Sequence, residues 1–205
     1  MSVRDGNKKV RFSFSARNIA VIAVTVALLI GGQFALSFVA GVEIVTLLLC
    51  AFCFVFGVRR GVITAFAFAL LRCFVFGFDP SALLLYVIYY PLFALISALC
   101  GKLFSKVTNR IKNEENGLKR RKTWVYLLFV AGLTAVVCAM TCGFTMLDNV
   151  ITPLMMGFGD ASRRLYIYNS LPTMAAHVVC VGVEIVLLFL PVHKIFTNVK
   201  ESLYI

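Results

Sequence analysis

The sequence predicts an all-α integral membrane bundle of six transmembrane helices with both termini in the cytoplasm, and three observations carry that expectation. Of 205 residues, 61% are hydrophobic and the mean hydropathy is +0.94. That is more apolar surface than one water-soluble core can hide, so a bilayer must act as solvent. The apolar stretches are long and continuous rather than alternating, which selects helices over strands as the structures that satisfy their own backbone hydrogen bonds in hydrocarbon. Lysines and arginines gather between these stretches and predominantly on alternate sides of them.

The first segment is expected at residues 18–39, after a basic leader, residues 1–17, that holds Arg4, Lys8, Lys9, Arg11 and Arg17. Its apolar length exceeds the roughly 7 to 15 residues of a signal-peptide core, so it is read as a retained helix. Segments two and three, residues 42–56 and 62–76, form a short hairpin turned by Gly57-Val58-Arg59-Arg60-Gly61. Gly77-Phe78-Asp79-Pro80 ends the third, because proline disfavours helix in the residue before it. Segment four occupies residues 81–104. A basic cytoplasmic loop, residues 105–123, follows. Segments five and six are expected at residues 124–147 and 172–196, with a long extracellular loop, residues 148–171, between them. The chain is one transmembrane domain, residues 1–205.

This layout puts 17 of the 20 lysines and arginines inside, leaves Arg163 and Arg164 outside and places Arg72 within a span. A net charge of +11 spread in that way excludes a nucleic-acid partner, which needs its basic residues on one soluble face. All seven cysteines fall in apolar stretches, as small apolar side chains usually do. Cys50-x-x-Cys53 has redox-like spacing but no second pair and no nearby histidine. There is no phosphate-binding loop, no His-Glu-x-x-His and no Gly-x-Ser-x-Gly, so the chain is expected to be no enzyme and to leave ATP hydrolysis to others. His177 and His193 are too few for a histidine metal centre, and no cofactor or metal is expected.

Ionisable groups inside a span cost about 2.5 to 3.5 kcal/mol each on insertion scales and face protein or a watered cavity. Arg72 and Glu184 are such groups; His177 precedes Glu184 by two helical turns and shares its face. Glu43 and Asp79 stand at the outer ends of segments two and three. One reading makes Glu43, Arg72, Asp79, His177 and Glu184 an outward-opening pocket. The other makes Arg72 a structural ion-pair partner of Glu184 or Glu43. Tyr86, Tyr89 and Tyr90 would either stack on a flat ligand, with Tyr86 or Tyr90 at the pocket wall, or form an interfacial aromatic belt. Small residues recur at Ala20, Ala23, Ala27, Gly31 and Ala35, and again at Ala131, Ala135, Ala139 and Gly143. Each stripe allows close approach of another helix, within the bundle or from a partner.

The six-span plan resembles a substrate-specific S component of an energy-coupling factor (ECF) transporter. The likeness rests on Ala23-x-x-x-Ala27 after a basic leader, the short second and third helices, Gly57 to Gly61, Gly77-Phe78-Asp79-Pro80, Tyr89-Tyr90-Pro91, the small residues Ser97, Ala98 and Gly101, and a sixth helix with Leu171-Pro172 and Leu190-Pro191. It spans nearly all of residues 17–194. It implies a multi-pass protein of a bacterial plasma membrane that captures a vitamin or similar micronutrient outside. It further implies a transmembrane coupling protein, docking on Ala23 and Ala27 with Ala20 beside them, and two ATPase subunits. The link at residues 37–41 is shorter than the lid of many relatives, so residues 148–171 are the candidate cap. Two readings from other classes are a stand-alone permease or channel, and a membrane-embedded scaffold or enzyme.

Overall fold

The computed structural model describes residues 15–39, 43–113 and 119–204. Arg4, Lys8, Lys9 and Arg11 of the leader lie outside them. The described residues fold as six helices: α1 (Ala16–Leu36), α2 (Ile44–Phe56), α3 (Val58–Phe76), α4 (Pro80–Asn113), α5 (Lys119–Met155) and α6 (Asp160–Tyr204). Four stretches are long and apolar enough to cross a membrane: Ala16–Leu36, Pro80–Thr108, Leu127–Met155 and Asp160–Leu203. The other two helices differ in kind. α2 has 13 residues, and α3 carries Arg59, Arg60 and Arg72 among its 19.

α2 is the axis of the molecule. It packs on α4 and α6 and is flanked by α1 and α3. Most of its side chains are buried, with Val45, Leu47, Leu49, Cys50, Ala51, Phe52 and Cys53 fully enclosed. A helix apolar all round is expected at the centre of a bundle, and this one is. Gly57, at φ 84°, reverses the chain from α2 into α3 in a single residue, a left-handed backbone that other residues resist. The turn is thus shorter than the five-residue reversal expected, and Arg59 and Arg60 ride on the first turn of α3.

The sequence also underestimated α4, α5 and α6. Hydropathy detects the lipid-facing length of a helix and stops at its charged ends, whereas the backbone continues while each carbonyl finds its amide. α4 therefore runs to Asn113 and α5 starts at Lys119, so most of the anticipated loop at 105–123 is helical. Likewise, residues 148–171 are two helix ends joined by a turn at residues 156–159, where Gly157 adopts φ 65°. Pro172, taken as a helix start, lies well inside α6; Pro80 does open α4, in the first helical position where proline's missing N–H costs nothing.

Helix direction alternates. Arg17 at the start of α1 donates to the Leu203 carbonyl near the end of α6 (3.2 Å), and Lys200 of α6 donates to the Val55 carbonyl near the end of α2 (2.8 Å). Those ends, together with the start of α3 and the distal part of α4, form one end of the bundle. Glu43, Arg72 and Asp79 belong to the other.

Candidate ligand site

At that second end, side chains from four helices make one connected set. Arg72 on α3 donates its Nε–H to Gln33 Oε1 on α1 (3.2 Å), and Gln33 donates from Nε2 to the Tyr86 hydroxyl on α4 (3.3 Å). The guanidinium lies over the Tyr86 ring, 4.0 Å from its centroid, and 5.0 Å from that of Phe76. A planar delocalised cation gains from such a face because the ring's quadrupole is negative there. One helical turn deeper, Tyr90 donates its hydroxyl to Glu43 Oε1 at the head of α2 (3.0 Å). The Tyr86 and Tyr90 rings lie 4.9 Å apart, and Phe68 stands edge-on to Tyr90 at 5.0 Å.

α6 closes the set. Glu184 accepts from the Cys180 thiol at 3.5 Å and lies within electrostatic range of Glu43, as do His177 and Arg72. The second Glu184 oxygen, Oε2, is buried and makes no hydrogen bond of good geometry among the described residues, the Glu43 backbone amide being near the carboxylate. Such an atom is costly in a low-dielectric setting and marks a place that accepts a donor.

Several sequence expectations change here. Tyr86, Tyr89 and Tyr90 are 8%, 5% and 1% exposed, so they form an interior cluster rather than an interfacial belt. Among the described residues, Arg72 is bonded to Gln33 and joins neither Glu184 nor Glu43 in an ion pair. Asp79, within electrostatic range of Arg72, is the cap of α4: its Oδ1 accepts the Ser81 backbone N–H (2.9 Å) and hydroxyl (2.8 Å). Those two bonds, led by the hydroxyl, hold the Asp79 carboxyl below the usual carboxylate range. A local structural role accounts for it.

His177 serves a second feature, a cleft of about 300 Å³ between α5 and α6. Phe144, Asp148, Tyr166, Asn169, Thr173 and His177 line it, while Arg72 and Glu184 do not. Asp148 ties the cleft together, accepting from Thr152 (2.6 Å) and from the Tyr166 hydroxyl (2.7 Å). Phe144 is common to both features: its ring packs on Tyr89 at 4.8 Å and Tyr86 at 5.8 Å from one side and borders the cleft on the other. The cleft beside His177 and the polar set around Glu43 and Arg72 thus meet at Phe144.

Sequence reasoning missed Gln33, Asp148 and Phe144. Gln33 is a lone amide in an apolar helix, and the argument applied to buried charges would have found it if extended to neutral polar groups. Asp148 was assigned to a loop, which removed it from consideration, and nothing distinguishes Phe144 among 19 phenylalanines.

The small-residue stripes are also placed. Ala20, Ala23, Ala27 and Gly31 all lie on the exposed face of α1, and a side chain built on Gly31 would meet nothing within 4 Å. Ala131, Ala135, Ala139 and Gly143 on α5 face outward as well. Compared with protein-family models, with curated proteins and with solved structures, the chain gives no match.

Proposed function

We propose that this protein is the substrate-binding membrane subunit of an ATP-driven importer for a vitamin or related micronutrient. In this reading all six helices cross the membrane and both termini lie in the cytoplasm. Solute enters at the end holding Glu43 and Arg72. The single observation that carries the reading is the convergence of Glu43, Arg72, Tyr86, Tyr90 and Glu184 from three outer helices onto the head of α2, with the unpartnered Glu184 oxygen among them. A structural lock would be expected to satisfy its own acceptors; a site for a donor-bearing solute leaves one for the solute.

The cleft beside His177 is the antechamber, and Phe144 separates it from the polar set. A ligand with a flat ring and hydrogen-bond donors suits both: the ring replaces Phe144 against the tyrosines, and the donors meet the carboxylates. On the exposed face of α1, Ala20, Ala23 and Ala27 offer backbone to a transmembrane coupling protein that brings two ATPases. Lipid covers that face otherwise.

Mass spectrometry of small molecules retained by the purified chain tests the binding role. The expected result is one stoichiometric organic solute, lost from Arg72→Ala and Glu184→Ala proteins that still run as monodisperse species. Retention unchanged in both variants overturns the site. Co-purification with ATPases, abolished by Ala23→Leu while solute binding persists, tests the importer assignment against a stand-alone permease.

A further inference from the structure

The opposite end of the bundle carries a second cleft, about 450 Å³, that the proposed transport role leaves unused. Its wall is built by a close approach: a side chain on Gly101 of α4 would collide with the Phe54 backbone of α2, so α4 presses on the end of α2 there. Beyond that contact α4 presents Lys102, Ser105 and Lys106 to the cleft, and α6 presents Lys200; among the described residues no carboxylate lines it. Lys102 and Lys106 are one helical turn apart and point the same way. Lys200 is tethered, donating to the Val55 carbonyl at 2.8 Å. Three cations around one cavity repel one another unless an anion joins them.

What sort of anion follows from the neighbouring surface. Leu99 and Leu103, 45% and 60% exposed, lie one turn from Lys102 and Lys106 on the same helix. The apolar flank of α4 therefore runs directly into the basic cleft. An anion that carries acyl chains fits both parts, phosphate among the lysines and chains along the leucines. We propose that this cleft binds the phosphate of an anionic phospholipid headgroup. The site is independent of the transported solute and anchors α2, α4 and α6 to the surface of one leaflet.

Native mass spectrometry of the full chain in detergent, titrated with phosphatidylglycerol, phosphatidylcholine or inorganic phosphate, tests this. Phosphatidylglycerol adducts are expected to exceed phosphatidylcholine adducts at least tenfold, and inorganic phosphate at equal concentration to bind weakly. Lys102→Gln/Lys106→Gln should lose the preference at least fivefold. Lys102→Arg/Lys106→Arg should keep it, and so should Arg163→Gln/Arg164→Gln, which removes equal charge at the other end. Equal binding of the two lipids, or a Gln double variant matching the unaltered protein, overturns the site. Inorganic phosphate binding as well as phosphatidylglycerol overturns the lipid as its source. The lipid preference of the unaltered protein and the Arg variant remain decisive if the Gln variant fails to fold.

Discussion

The two ends of the bundle are both packed with aromatic rings, yet they differ in one atom type. Around the end of α2, Phe54 lies within 5.5 Å of Phe104, Phe129, Phe189 and His193, and Phe52 stacks on Phe56 at 4.7 Å. Around the head of α2 the rings are chiefly Tyr86, Tyr89 and Tyr90, with Phe68 and Phe144. The geometry of ring packing is similar. Hydroxyls make the difference, because a buried one needs a partner: Tyr86 recruits Gln33, and through it the cation Arg72, and Tyr90 recruits Glu43. A phenylalanine plug is complete in itself; a tyrosine plug pulls polar chemistry into the bundle.

The largest effect that would sharpen this contrast is at the phenylalanine end. Phe54→Ala should cost about 3 kcal/mol of unfolding free energy, since the cavity removes packing that a lipid solvent does not replace. Denaturant titration of the solubilised protein measures it; a loss under 1 kcal/mol would mean the plug collapses without penalty. Tyr90→Phe comes next. It leaves the Glu43 carboxylate short of its donor, costing about 1 to 3 kcal/mol, and solute retention should fall in step. If retention is untouched while stability falls, the tyrosine end is a second structural plug and the contrast breaks.

Smaller effects map the edges of both regions. Asp79→Ala removes the α4 cap and should cost about 1 kcal/mol without altering solute retention. Because its folded pKa is depressed, the contribution of Asp79 is complete above the unfolded value of about 3.9 and fades as pH falls through the lower folded value. A stability profile flat down to that range and then declining more steeply in the native protein than in Asp79→Ala would bear this out. Smallest of all, Ala27→Leu on the open face of α1 should change stability by no more than about 0.5 kcal/mol. A large loss there would place the face inside an unrecognised contact of the bundle.

Much of this architecture was legible in the sequence, and the failures share a cause. Apolar length locates α1 and α2 to within three residues, because lipid and core impose the same requirement on them. It truncates α4, α5 and α6, whose ends at residues 105–113, 119–123, 148–155 and 160–171 are charged or mixed yet helical. Nearly every charged member of the site was legible, since a charge is conspicuous in an apolar helix. Among its companions, Tyr86 and Tyr90 were legible as one of two readings, pocket wall or interfacial belt, and their burial decides for the interior; Gln33, being neutral, was not legible. Asp79 was conspicuous for the wrong reason, its capping geometry being visible only once Ser81 is seen to donate twice.

The shortness of α2 sets a depth. Glu43 heads that helix and bonds Tyr90, which lies ten residues beyond the first residue of α4, about 15 Å along the axis at 1.5 Å per residue. The head of α2 is therefore set below the start of α4, among helices longer than itself, and Glu43 lies where a charge is little screened by bulk water. Adding one turn to the head of α2 would bring that carboxylate about 5.4 Å nearer the start of α4. In the proposed role, the length of one helix, rather than the identity of any residue on it, would then decide how deep a solute is held.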